Sequence, residues 1–109
     1  MKLVLASIVA GAVLAAGSAH AAIDTAAAEA LMKKDGCAAC HSVDKKIIGP
    51  SYQEVSAKYK GDAGAAAKLI KKVKEGGSGV WGAVPMPPNA TTSDADIKNL
   101  VDWILTLKK

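Results

Sequence analysis

The chain has 109 residues, half of them hydrophobic, with 14 lysines, no arginine and 10 acidic residues, for a formal net charge of +4. That length holds one small domain, and the sequence shows no concentrated basic face of the kind nucleic acid requires. With 4% aromatic residues and no phenylalanine, so small a domain struggles to bury enough apolar surface and needs a staple such as a metal or disulfides.

Residues 1–21 read as a secretory signal peptide. Lys2 supplies the positive start, Leu3 to Ala16 is a run of apolar or small residues, and Ala19-His20-Ala21 fits a small-x-small cleavage site. The run is short for a bilayer-spanning helix. The mature chain is therefore expected to begin at Ala22 and to be exported as one domain over 22–109. It keeps 88 residues, with 13 lysines against 10 acids, a net +3.

Asp24 is placed to cap a helix that runs to about Asp35, with Lys33 and Lys34 in its last turn, where they favour the helix dipole. Gly36 breaks it. Residues 42–49 read as a loop closed by Gly49-Pro50, and Ser51 to Tyr59 as a short helix with Tyr52, Val55 and Tyr59 on one face. Gly61 and Gly64 bracket a turn. Ala65 to Glu75 reads as a stronger helix with an inner stripe of Ala66, Leu69, Ile70 and Val73. Its lysines Lys68, Lys71, Lys72 and Lys74 fall mostly on the outer, solvated face. Gly76-Gly77 ends that helix. From 77 to 92 no periodicity survives, and a loop of that length in a domain this small usually has a function. The last helix starts near Ser93, with Asp94 and Asp96 in its first turn. Its inner face is Ile97, Leu100, Val101, Ile104 and Leu107, flanked by Trp103. There is no strand pattern and no internal repeat, so the fold class is small and all-α, with four to five helices.

Between the first helix and the first loop stands Cys37-Ala38-Ala39-Cys40-His41. This Cys-x-x-Cys-His run is the attachment sequence of a c-type haem. Two thiols must reach two vinyl groups on one edge of a porphyrin while an imidazole reaches the iron. On a turn of helix, spacings of three and four residues put Cys37, Cys40 and His41 on one side. Other uses of two cysteines fit less well. A structural zinc site needs four ligands, and the mature chain offers two cysteines and one histidine. A thioredoxin-like pair needs a strand-helix-strand setting, whereas helix precedes Cys37. A structural disulfide leaves His41 without a role. A covalently held haem c also supplies the missing staple, as a large apolar plate for helices to pack around.

Iron bound by His41 has a sixth position to fill, and the mature chain offers Met32, Met86 and lysines. Met32 lies five residues before Cys37, on the helix leading into the motif, and reads as core. Met86 lies 45 residues after His41, far enough along the chain to wrap round a porphyrin. It stands in Val84-Pro85-Met86-Pro87-Pro88. The prolines restrict the backbone on both sides of it, which lowers the entropy cost of placing the sulfur. His41 and Met86 are the expected axial ligands, an established haem pairing.

Cys37-Ala-Ala-Cys-His41, Gly49-Pro50, Gly79-Val80-Trp81-Gly82 and Pro85-Met86-Pro87-Pro88-Asn89 occur in this order. Over essentially all of 22–109 the chain resembles the small bacterial class I cytochromes c of the 551/552 type, soluble periplasmic carriers with one haem. The resemblance implies that the Pro50 carbonyl accepts a hydrogen bond from the His41 imidazole. It also implies that Trp81 donates its indole N–H to a haem propionate and that Asn89 sits close to the Met86 sulfur. Lys72 falls where some relatives carry an arginine near a propionate, without arginine's planar fork. The tract Ala90-Thr91-Thr92-Ser93 looks a residue longer than in close relatives.

An iron with two strong protein ligands changes oxidation state without gaining or losing one, and thioether sulfur raises its potential. The expected function is therefore not an enzyme but a diffusible periplasmic electron carrier, a monomer in a respiratory chain. It would deliver single electrons to an acceptor such as a terminal oxidase, a nitrite reductase or a peroxidase. Contacts would be transient and at the low end of interface size, around the haem edge. Lysines such as Lys33, Lys45 and Lys46 or an apolar rim would guide them. Two other classes compete: a haem-based sensor or peroxidase-like enzyme with a loosely held Met86, and a tethered subunit of a larger complex.

Overall fold

The computed structural model describes Gly11 and residues 22–108; the signal-peptide reading and its cleavage site lie outside the described residues apart from Gly11 and Ala22. Four α-helices follow one another, α1 (Thr25–Lys34), α2 (Tyr52–Lys58), α3 (Ala65–Glu75) and α4 (Asp94–Ile104), with a short 3₁₀ turn (Cys37–Ala39) between the first two. Among the described residues there are no strands, only the isolated bridges His41–Lys46 and Gly77–Met86. No helix among them is long and apolar enough to cross a membrane.

Local sequence accounts for where three of these helices start. The Asp24 carboxylate accepts from the Ala27 amide at 2.7 Å and begins α1. Ser51 and Glu54 form a reciprocal box at the head of α2: Ser51 Oγ accepts the Glu54 amide and Glu54 Oε2 accepts the Ser51 amide. Ser93 caps α4 by accepting from the Asp96 amide at 3.1 Å. At the other end of α1, Gly36 takes up the left-handed conformation (φ 76°) that turns the chain into the 3₁₀ segment.

Helix α4 is the hub, packing against α1, α2 and α3. Its Ile97, Leu100, Val101, Trp103 and Ile104 are all buried. They meet Ala28 and Met32 from α1, Tyr52 and Val55 from α2 and Leu69 from α3. Met32 is thus a core residue, as its position before the motif implies. Leu107 is half-buried beyond the helix, which stops at Ile104; the Ser56 hydroxyl donates to the Leu107 carbonyl at 2.8 Å and holds this tail against α2. Two exposed ion pairs tie the start of α4 outward, Lys34 to Asp96 at 3.2 Å and Lys74 to Asp94. This core leaves one side of α3 and α4 open, and the site forms there.

Candidate haem site

The motif sits on a tighter turn than an α-helical reading implies. Cys37 to Ala39 is 3₁₀, closed by Cys40 N–H to the Cys37 carbonyl at 3.1 Å and His41 N–H to the same carbonyl at 2.9 Å. The bifurcated carbonyl keeps the three functional side chains on one side although the pitch is narrower. Both cysteines are half-buried and form no disulfide with each other. Burial pushes the Cys37 thiol pKa up, and a hydrogen bond with the Tyr52 hydroxyl partly offsets it. Burial likewise pushes the Tyr52 phenol upward.

The loop after the motif fixes the imidazole. His41 Nδ1 lies 2.7 Å from the Pro50 carbonyl oxygen. A carbonyl can only accept, so Nδ1 carries a proton, and in the neutral ring the lone pair is then on Nε2. Gly49 runs against the ring: a Cβ there would fall 2.6 Å from His41 Cε1. The Tyr52 ring stacks on the imidazole at 5.1 Å, and Trp103 meets Tyr52 edge-on at 6.2 Å. Backbone bonds from Gly49 N–H to the Cys40 carbonyl (2.7 Å) and from Tyr52 N–H to the Ser42 carbonyl (2.9 Å) close the loop on itself.

Met86 approaches from the other end of the chain. Its backbone bridges to Gly77 through two bonds, Gly77 N–H to the Met86 carbonyl at 3.0 Å and Met86 N–H to the Gly77 carbonyl at 2.8 Å. Asn89 sends both its backbone N–H and its side-chain Nδ2 to the Val73 carbonyl, each at 3.1 Å.

Between these two arms lies a cleft of ≈ 510 Å³. Cys37, Cys40, His41 and Pro50 line one part, Met86 and Trp81 another, and Leu69, Leu100, Val101 and Ile104 form an apolar floor. Its dimensions are those of a pocket for a medium-sized apolar ligand. A flat apolar macrocycle fits this donor set: two cysteine sulfurs, an imidazole and a thioether on the same cavity. Among the described residues no three His, Cys, Asp or Glu side chains gather into a metal cage, so the tetrahedral-zinc alternative has no ligand set here.

The rim is hydrophobic and exposed: Ile48 at 57%, Val80 at 45%, Trp81 at 44% and Val84 at 66%. The Lys58 ammonium lies 5.2 Å from the centre of the Trp81 ring. Lys72 is half-buried on the cleft wall rather than on the outer helix face. Asn89 does not line the cleft; it is half-buried against Val73. Two neighbours of His41, Gly49 and Tyr52, enter the sequence reading only as half of Gly49-Pro50 and as part of the α2 face, with no signal that both lie against the imidazole.

A family model for cytochrome c matches residues 25–108. The chain is 50% identical over 104 residues to cytochrome c-552 of Nitrosomonas europaea, covering 95% of each. It is 50% identical over 80 residues to cytochrome c-551 of Pseudomonas aeruginosa, covering 73% of this chain and 76% of that protein. Among solved structures it is similar to wild-type Nitrosomonas europaea cytochrome c552, with a TM-score of 0.70 and 54% identity, covering 73% of this chain and 99% of that one. The class 1 cytochrome MtoD from Sideroxydans lithotrophicus matches with a TM-score of 0.65 and 44% identity, over 78% of this chain and 97% of that one.

Proposed function

The chain belongs to the cytochrome c family, a haem-based electron carrier of the 551/552 type with one covalently attached haem c, and on that premise we propose a periplasmic shuttle whose iron is held by His41 and Met86. When bound, the haem supplies a reversible one-electron couple. Cys37 and Cys40 hold it through thioethers. His41 offers Nε2, its tautomer set by the Pro50 carbonyl, in the way that partners of metal-bound histidines generally set orientation and basicity. Met86 offers its thioether, and its confined backbone keeps the sulfur from wandering. Two permanent ligands leave no position for a substrate, which suits transfer of electrons rather than catalysis. Trp81 on the rim is placed to donate to a propionate, with Lys72 on the wall adding positive charge. Asn89 acts on Met86 by fixing the segment that carries it.

Partner docking falls on the exposed rim of Ile48, Val80, Trp81 and Val84. Such an apolar, shallow patch suits brief contact with another redox protein, an oxidase, nitrite reductase or peroxidase among the possible acceptors. Export by the 1–21 leader rests on Lys2, the apolar run from Leu3 to Ala16 and the Ala19-His20-Ala21 site. A periplasmic extract should yield a haem-loaded polypeptide beginning at Ala22, read by N-terminal sequencing.

The single observation behind the reading is that Cys37, Cys40, His41 and Met86 line one cleft. The oxidised wild-type protein should show the weak near-infrared sulfur-to-iron band, and Met86→Ala should lose it. A band that survives the substitution refutes the Met86 assignment.

A further inference from the structure

We infer that Gly76 is a positioning residue for Met86, and that the bare backbone there lets the last turn of α3 grip the ligand segment. The inference rests on the reading of Met86 as the iron ligand. Gly76 closes α3 with φ 70° and ψ −161°, its N–H donating to the Lys72 carbonyl at 2.8 Å. That backbone region is essentially reserved for glycine. A Cβ at this position would collide with the Met86 carbonyl oxygen and come within 2.8 Å of Pro88 N and 2.9 Å of Pro87 C. All three are backbone atoms, and two belong to prolines whose φ is fixed, so the segment cannot yield by a rotamer change.

The contact is the middle of a three-point grip. On one side stand Val73, Gly76 and Gly77 at the end of α3; on the other runs the segment from Met86 to Asn89. Val73 accepts the two Asn89 donors, Gly76 lies against the Met86-Pro87-Pro88 backbone, and Gly77 exchanges two hydrogen bonds with Met86. Other glycines differ. Gly79 and Gly82 also have positive φ, at 102° and 119°, but a Cβ on either would meet open space. At Gly77 it would meet only the Lys72 ammonium, the far end of a flexible side chain. Among the described glycines with positive φ, Gly76 alone combines a left-handed backbone with a backbone neighbour that excludes a side chain. The position of the Met86 sulfur is therefore set by α3, across a gap that a single methyl group closes.

The test compares haem-loaded Gly76→Ala, Gly79→Ala and Ile97→Ala with the wild type. Gly76→Ala should lose most of the near-infrared band and, when reduced, bind carbon monoxide at least about tenfold faster, because the strained backbone and the collision both release Met86. Gly79→Ala carries backbone strain without a collision, so its band and carbon monoxide kinetics should stay within about twofold of wild type. Ile97→Ala loses stability in the core away from the cleft and should keep its band below its melting range, which separates positioning from mere destabilisation. A Gly76→Ala protein with a wild-type band and wild-type kinetics overturns the inference. If Gly76→Ala gives no holoprotein, amide exchange on the wild type decides. Gly77, Met86 and Asn89 amides that exchange slowly and open together support the grip; a freely exchanging Met86 amide beside a protected α3 overturns it. Loss of the band in Gly76→Ala but not in Met86→Ala would strike the ligand reading, while the exchange result would still bear on the grip.

Discussion

The two arms of the cleft are built in opposite ways. The His41 arm is local: from Cys37 to Tyr52 nearly every constraint on the imidazole comes from within sixteen residues of chain, through the 3₁₀ turn, the Pro50 carbonyl, Gly49 and the Tyr52 ring. The Met86 arm spans a similar stretch of chain but is slung rather than packed: it is held by Val73, Gly76 and Gly77, around a loop that leaves Val80, Trp81 and Val84 exposed. Stacked rings hold the first arm, whereas backbone contacts to the end of α3 hold the second around an exposed segment, and exposed segments with few buried contacts open most readily. Damage to the first arm should therefore abolish the haem site, while damage to the second should loosen one ligand in an otherwise folded protein.

The largest expected effect breaks the first arm outright. Cys37→Ala combined with Cys40→Ala removes both covalent anchors, and mass spectrometry should find no haem bound through denaturation. The cooperative thermal transition should disappear with it, because the apolar floor then lines an empty cleft and the core is too small to compensate. A cooperative transition near that of wild type would show that the polypeptide core needs no plate.

A matched pair sharpens the contrast. Ser51→Ala opens the capping box of α2 behind His41 and should cost about 1 kcal/mol. Asn89→Ala removes one hydrogen bond to Val73 and should cost about 0.5–1.5 kcal/mol. Chemical denaturation should report similar losses for both. Only Asn89→Ala should weaken the near-infrared band, and a band equally reduced in both would erase the distinction between the arms.

Smaller still is Lys74→Ala, which removes an exposed ion pair between α3 and the head of α4. Such pairs contribute about 0.2–1 kcal/mol, so the midpoint should shift slightly and less at high salt. The smallest effect concerns Asp62 on the turn before α3. The Lys68 ammonium at 2.8 Å, and then the Gly64 N–H, hold its carboxyl below the ordinary 3.8. The unfolded chain binds that proton more readily, so the contribution is present above the ordinary value and fades as pH falls through the lowered one. Lys68→Met should move the titration of Asp62 upward, as followed by NMR; no movement would assign the shift to Gly64 alone.

Much of the frame was legible in the residues themselves. Asp24, Ser51 and Ser93 mark helix starts because each side chain satisfies a free amide, and the stripe on α4 follows from a 3.6-residue period. The motif announces the haem, and the Pro-Met-Pro setting of Met86 marks a constrained loop. What escaped depends on pairings between distant segments. The α-helical spacing of Cys37, Cys40 and His41 became a 3₁₀ turn because Gly36 turns the chain sharply just before it. Leu107 still packs against the core, but from a tail beyond α4, which ends three residues earlier. The period of α3 groups Lys72 with its solvent-facing neighbours, and only the family resemblance sets it beside the haem; it lines the cleft wall. Asn89 faces Val73, and Gly76 looks like an ordinary helix stop until Met86, ten residues later, comes to lie against it.

Iron-edge X-ray absorption on the ferric protein tests the central claim most directly, because it reads the atoms bound to the metal. The account predicts nitrogen scatterers with one sulfur in the wild type, and nitrogen without sulfur in Met86→Ala. A wild-type spectrum with no sulfur, or a sulfur that persists in Met86→Ala, would contradict it.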